Sequence, residues 1–271
     1  MGDLFRFSQE EVLAFFAVLV RFGTLIMVLP VTGDRMVPGP VKVLFALAVS
    51  IAVFPMLVSR GEILPGQALA WGQTTAGIIM TVGAEAIFGL TMGYAAKLCF
   101  DAIQVGGNFA GSFMGLAMAQ HYDPHQETQS QVIAEIQMAL AMLLFLALDG
   151  HHLMLKTAFD SYAIVGLGQL KFTEEFARRL IEITGQVLVI GLQIAGPVGL
   201  SIFAVNVGFG IMGKAMPNLN ILVLSLGVTC LIGLLVVFLS TPHLVAICAG
   251  VFERMSLWMR QLMLGLVAHG R

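Results

Sequence analysis

Long apolar stretches decide what this chain can become. They run over roughly 11–31, 40–58, 69–99, 132–149, 179–213 and 219–266. A hydrophobic run of about 18 residues or more is long enough to cross a bilayer as a helix. The last two runs are long enough to hold a break or a hairpin each. In lipid every backbone N–H and C=O must be satisfied within the protein, which leaves helices or closed barrels. These runs lack the period-two alternation of a barrel strand, so helices are the consistent answer. Composition agrees: of 271 residues, 58% are hydrophobic and 11% charged, well short of the roughly 25% charged of soluble domains. The predicted fold is all-α, a polytopic integral membrane protein of tilted, kinked helical hairpins.

Punctuation divides the runs. Pro30, Gly33, Pro38, Gly39 and Pro40 make a rigid turn between the first two, and Ser59–Gly66 ends the second. Thr173-Glu174-Glu175 opens a helix with acidic residues where the helix dipole favours them. Gly196-Pro197-Val198-Gly199 reads as a second break, and Ser240-Thr241-Pro242 as a hairpin between 219–239 and 243–266. With no soluble domain or linker visible, residues 1–271 are expected to form one membrane domain, with C-terminal helical hairpins over 179–266. The first apolar segment is expected to remain as its own insertion signal, since no basic region and cleavage site precede it. Arg and Lys are spread over most loops, so charge bias gives no orientation.

A net charge of −2 without basic runs argues against nucleic acid. Cys99, Cys230 and Cys248 lie inside apolar runs, an odd set that suits neither a disulfide framework nor a zinc site. His151 and His152 are adjacent, point about 100° apart on a helix and serve a metal poorly. No zinc-protease, P-loop or nucleophile-elbow motif is present. The chain is read as a non-enzyme that carries no cofactor or metal.

Polar residues inside apolar runs are costly and face protein or water. Arg21 and Glu85 stand near the centres of the first and third runs, and Asn206 interrupts the fifth. They read either as buried pairs and interface groups or as parts of a proton path; a relay would need more acidic residues along one route. Small residues recur at four-residue spacing: Gly89 and Gly93, then Gly107, Gly111 and Gly115. Such spacing lets a neighbouring backbone approach closely. The stretch leads into the longest polar window, Gln120–Gln131, in which Asp123, Pro124 and Gln126 suit a helix start. It is either a surface loop or a movable element lining a passage.

Taken in order, these features resemble the flagellar biosynthetic protein FliR family and its counterparts in virulence type III secretion. The matching residues are Arg21, Pro30, Arg35-Met36-Val37-Pro38 with Lys42, Glu85 with Gly89 and Gly93, Gly106-Gly107, Gly111, Met114-Gly115, Asp123-Pro124, Gly150-His151-His152, Pro197, Asn206, Gly210 and Met216-Pro217-Asn218-Leu219-Asn220. Lys214, Asn218, Gly227 and Val165 depart from the family's commoner residues. The resemblance implies a core subunit of the flagellar export gate, passing unfolded proteins across the bacterial inner membrane at the flagellar basal body. It implies FliP, FliQ and the FlhB switch protein as partners, with membrane lipid and exported chains. It also implies a Gly- and Met-rich plug over 105–131, carried by Gly106, Gly107, Gly111, Met114, Gly115, Met118, Asp123 and Pro124. The alternatives are a virulence homologue of the same role, or a secondary transporter, which an inverted repeat would favour and this sequence lacks.

Overall fold

The computed structural model describes residues 8–28, 38–116, 132–216 and 220–267. Every regular element among them is helical. The turn expected around Pro30 and Gly33, and the positions Met118, Asp123 and Pro124, lie outside the described residues.

Helix α1 spans Gln9–Val28 and starts with a reciprocal cap. The Ser8 hydroxyl accepts from Glu11 N–H at 3.2 Å, and the Glu11 carboxylate accepts from Ser8 N–H at 2.9 Å. Helix α2, Gly39–Ser59, begins with Pro early in its first turn, where no N–H is needed. It ends at Gly61, whose φ of 71° turns the chain out. Phe15 meets Phe54 edge to face at 5.6 Å, and Gly23 faces Ala46, so α1 and α2 are an antiparallel pair. A 3₁₀ turn, Pro65–Gln67, and the short α3, Ala68–Gly72, return the chain to the start of α1, where Gly72 abuts Leu13.

Helix α4, Thr75–Phe113, is followed by α5, Val132–Ala147, α6, Gly150–Ile164, and α7, Glu174–Ala215. Helices α8, Ile221–Leu239, and α9, Thr241–Gly265, complete the chain. Among the described residues four helices (α1, α2, α4 and α7) can cross a membrane by length and composition, and up to six spans result if the pairs α5–α6 and Val223–Leu239 with Thr241–Gly265 each count as one. With 39 and 42 residues, α4 and α7 are about 60 Å long at 1.5 Å per residue, twice the hydrocarbon thickness of about 30 Å.

Three expectations need correction. The helix does not break at Pro197, which sits inside α7. Ile194, Ala195, Val198 and Ile202 are buried around it, and Ser201 Oγ donates to the Pro197 carbonyl at 2.8 Å. Packing on both sides of the proline holds the helix together. At Ser240 the chain bends by 56° between α8 and α9 instead of reversing; one residue is too short for a hairpin connection, which takes about 2–8. Finally, the segment expected as a loop from residue 105 stays helical through Phe113.

The contacts divide the chain into two compact units. Unit 1 comprises Met1–Lys97, Gly150–Glu182 and Arg254–Arg271, and unit 2 comprises Leu98–Asp149 and Ile183–Glu253. In unit 1, Thr173 Oγ1 accepts from Phe176 N–H at 3.3 Å, capping α7, and donates to the Gly265 carbonyl of α9 at 2.6 Å. In unit 2, Phe100, Phe145 and Phe252 form a three-ring cluster with centroids 5.2–5.3 Å apart.

Candidate functional site

Unit 1 is organised around Arg21. Its side chain and that of Glu85 are both fully buried, and the guanidinium grips the carboxylate with two bonds: Nε to Oε2 at 2.6 Å and Nη2 to Oε1 at 3.0 Å. The planar fork matches a carboxylate as no ammonium can. Nη1 donates to Ser161 Oγ of α6 at 3.0 Å, and Ser161 passes its own hydrogen to the Ala158 carbonyl at 2.6 Å. The Arg21 carbon Cζ lies 3.8 Å from the centroid of Tyr162 and 4.9 Å from that of Phe88. Two aromatic faces therefore take the place of water around the cation.

Glu85 has a further donor. The N–H of Gly168 reaches Oε1 at 3.0 Å from the connection between α6 and α7. Gly168 has φ 71° and stands against Thr81, so neither the backbone nor the space admits a side chain there. One ion pair thus ties α1, α4, α6 and the start of the next connection together.

The close approach of α1 and α4 explains how the pair can form. A Cβ at Gly89 would run into the Arg21 carbonyl and the Thr24 hydroxyl, and one at Gly93 would come within 3.0 Å of the Leu25 carbonyl. Contacts advance in the same direction on both helices, from Arg21 with Glu85 to Val28 with Gly93, so α1 and α4 run parallel. The small-residue spacing carries two backbones together, and the charges lock the register. A guanidinium always stays protonated and the Glu85 oxygens are already bonded, so this arrangement suits a structural tie better than a proton relay.

In unit 2 the glycine series plays a different part. Gly106 meets Ile194 and the Gly191 carbonyl of α7, at 2.7 and 3.2 Å from where its Cβ would be, and Gly107 is pressed against the Ala134 backbone of α5. Gly111 is buried as well. These glycines make helix-packing surface. Helix α4 ends next, with Met114 N–H bonded to the Ala110 carbonyl at 3.1 Å and Gly115 N–H to the Ser112 carbonyl at 3.0 Å. Gly115 takes φ 80°, the left-handed conformation that ends many helices. Met114 is 1% exposed, in a core with Ala110, Ile133, Ala195, Val198 and Ile202.

Of the polar residues singled out in the sequence, Arg21 and Glu85 come together. Asn206 does not join a core: it is exposed on α7 beside exposed Phe203 and Val207. Position 206 continues the i, i+4 stripe of Ile194, Val198 and Ile202, but it lies past the packed part of α7, where the residues from 203 on are mostly exposed. Sequence reasoning missed Ser161, Tyr162 and Gly168, which complete the cluster, and Thr229 and Gly233 of α8, which touch Met114. Only the glycines carried any signal, and their partners lie too far along the chain to be inferred from spacing.

Together these features define an all-helical polytopic membrane protein whose packing rests on glycine contacts and a buried ion pair. Over residues 12–255 the sequence matches the family described as bacterial export proteins, family 1, and the chain belongs to that family. Among its relatives is the flagellar biosynthetic protein FliR of Bacillus subtilis, 24% identical over 253 residues, with 92% of this chain and 94% of the relative covered. Proteins of the same name from Pectobacterium carotovorum and Escherichia coli are 28% and 24% identical, over 84% and 88% of each chain.

Proposed function

We propose that this chain is a core subunit of the flagellar protein-export gate in the bacterial inner membrane, at the basal body. In this reading it forms part of the channel that passes unfolded flagellar proteins and does no chemistry of its own. The observation that carries it is a family match running through both compact units, to relatives named for flagellar biosynthesis over most of their length. The surface supports it. Leu200, Phe203, Ile211, Leu231 and Phe238 are each at least 66% exposed in the isolated chain, and Asn206 and Lys214 lie on the same two-helix region. Apolar surface interspersed with polar groups suits protein partners as well as lipid, and FliP, FliQ and FlhB are the partners proposed.

The passage is closed, in the same reading, by the segment from the end of α4 onward. Met114 and Gly115 stand at its described start, and Met118, Asp123 and Pro124 continue it. Gly106, Gly107 and Gly111 then seat the helix beneath it. Removing the chain's gene should abolish swimming and secretion of flagellar subunits, and the tagged chain should co-purify in mild detergent with other gate subunits. A chain that purifies as a stable monomer, from cells whose secretion survives its deletion, would rule the proposal out.

A further inference from the structure

From Leu98 onward α4 belongs to unit 2, and there its two sides differ completely. Between residues 101 and 112 the buried positions are Ala102, Ile103, Gly106, Gly107, Ala110 and Gly111, all apolar or small. The exposed ones are Gln104, Asn108 and Ser112, all polar. Spacings of four residues set these three one above another on a single face, about 12 Å long at 1.5 Å per residue. The half-buried Asp101 continues that face one turn earlier.

Other outward surfaces of unit 2 are made differently. Leu200 and Phe203 of α7 are 73% and 66% exposed, and Leu231 and Phe238 of α8 are 72% and 78% exposed. Those side chains suit lipid or apolar partner surface. A face of two amides and a hydroxyl does not, because hydrocarbon leaves their donors and acceptors unmet. A tightly packed partner helix is also a poor fit. Close helix contacts in membranes are built on small residues, and α4 turns its small residues inward, Gly106 towards α7 and Gly107 towards α5. Among the exposed positions of this stretch Ser112 alone is small, and its hydroxyl donates to the Asn108 carbonyl at 2.8 Å, which leaves its oxygen as an acceptor.

Water is the surrounding that remains. Within the export-gate reading, on which this inference rests, water inside the membrane is where the exported chain travels. We infer that the Gln104–Asn108–Ser112 face of α4 lines the wet passage and offers hydrogen bonds to the backbone of the unfolded chain moving along it. Such a chain presents one N–H and one C=O per residue whatever its sequence, proline excepted. Carboxamides both donate and accept, and a hydroxyl oxygen accepts. Being uncharged, these groups serve every exported sequence without holding back an acidic or basic stretch.

The experiment uses the assembled gate in cell membranes. In a chain with Cys99, Cys230 and Cys248 replaced by Ala, single cysteines are introduced by Gln104→Cys, Asn108→Cys and Ser112→Cys on the polar face. Leu200→Cys and Leu231→Cys provide the apolar comparison. Labelling by the membrane-impermeant reagent methanethiosulfonate ethylsulfonate is then timed. A thiol reacts as its thiolate, which water supports and lipid does not, so the three α4 positions should label at least roughly tenfold faster. An exported protein fused to a tightly folded domain and stalled in the gate should slow those three positions to the level of the other two. In the parent chain, Q104L/N108L should lower secretion roughly 5-fold with the complex recovered in normal yield, and Q104N/N108Q should restore it. Equal labelling at all five positions overturns the inference, as does fast labelling that the stalled protein leaves unchanged, or full secretion by Q104L/N108L. Secretion in cells lacking the chain is the control for the underlying reading. If it persists, the gate reading itself fails; if it is lost while the α4 cysteines stay slow, only the wet face fails.

Discussion

The two units bury different things. Among the described residues, unit 1 encloses Arg21, Ser50, Thr81, Glu85, Thr91, Thr157 and Ser161, whereas unit 2 encloses only Gln137 and Thr229 as polar or charged side chains. Unit 2 relies on Phe100, Phe145 and Phe252, on Met114, and on glycines at the crossings of α4 with α5 and α7. Both use glycine to bring backbones together, and unit 1 adds a fully buried bidentate charge pair that specifies one register. Dispersion and close packing fit many nearby arrangements almost equally well. A bidentate charge pair fits one. The difference teaches that unit 1 is built for a single geometry, while unit 2 has a neutral hydroxyl contact between helices at Thr229, next to the turn at Gly115.

The contrast breaks most visibly at Arg21 and Glu85. Removing one partner, as in Glu85→Ala, strands a fully buried guanidinium and should cost about 3–5 kcal/mol. The chain should then vanish from membranes or lose protease resistance in detergent. Replacing both, as in R21M/E85L, should recover much of that loss, because apolar groups of similar volume need no pairing. If the double variant were as unstable as the single one, the pair would be specifying the register as well as neutralising charge. A pair that can be removed without effect would remove the distinction between the units.

The glycines sharpen the comparison. Gly89→Ala forces its methyl against the Arg21 carbonyl, so it must push α1 away and disturb the ion pair as well. Gly107→Ala forces a methyl against the Ala134 backbone, where no charge responds. Both fall under overpacking, at about 1–3 kcal/mol, with Gly89→Ala at the upper end of that range. Thermal unfolding of the protein purified in mild detergent would measure both. Equal losses would mean that the ion pair plays no part in the cost at Gly89.

How far the sequence foretold this depends on the length scale. Apolar runs located α1 and α2 well, because lipid and helix interior select the same side chains there. They failed at helix ends. The run over 69–99 stopped near Lys97 and Asp101, yet α4 continues to Phe113, because hydropathy detects an apolar environment and not backbone hydrogen bonding. The four-residue spacing of Gly107 and Gly111 did foretell close backbone contact on a helix face, while the plug loop that the family resemblance implied from residue 105 begins later, past Phe113. Arg21 and Glu85 stood out by cost alone, and nothing in the sequence linked them across 64 positions or joined Ser161 and Gly168 to them.

The smallest expected effect concerns Gln137, and it tests whether unit 2 needs polar groups in its interior at all. This residue is 5% exposed on α5, and its Oε1 accepts no hydrogen bond among the described residues. A buried acceptor left unpaired costs about 1–3 kcal/mol. Gln137→Met keeps the length and flexibility of the side chain and removes that oxygen, so the complex should become more stable, by about 1 kcal/mol once any bond made by Nε2 is lost. Melting of the purified complex and secretion in cells should be measured together. Higher stability with unchanged secretion would make the interior of unit 2 indifferent to polarity, as the comparison requires. Higher stability with reduced secretion would mean that the oxygen serves a group outside the described chain, as the proposed function expects. A complex that melts earlier would show that unit 2 depends on a polar tie after all, and the contrast with unit 1 would then be one of degree.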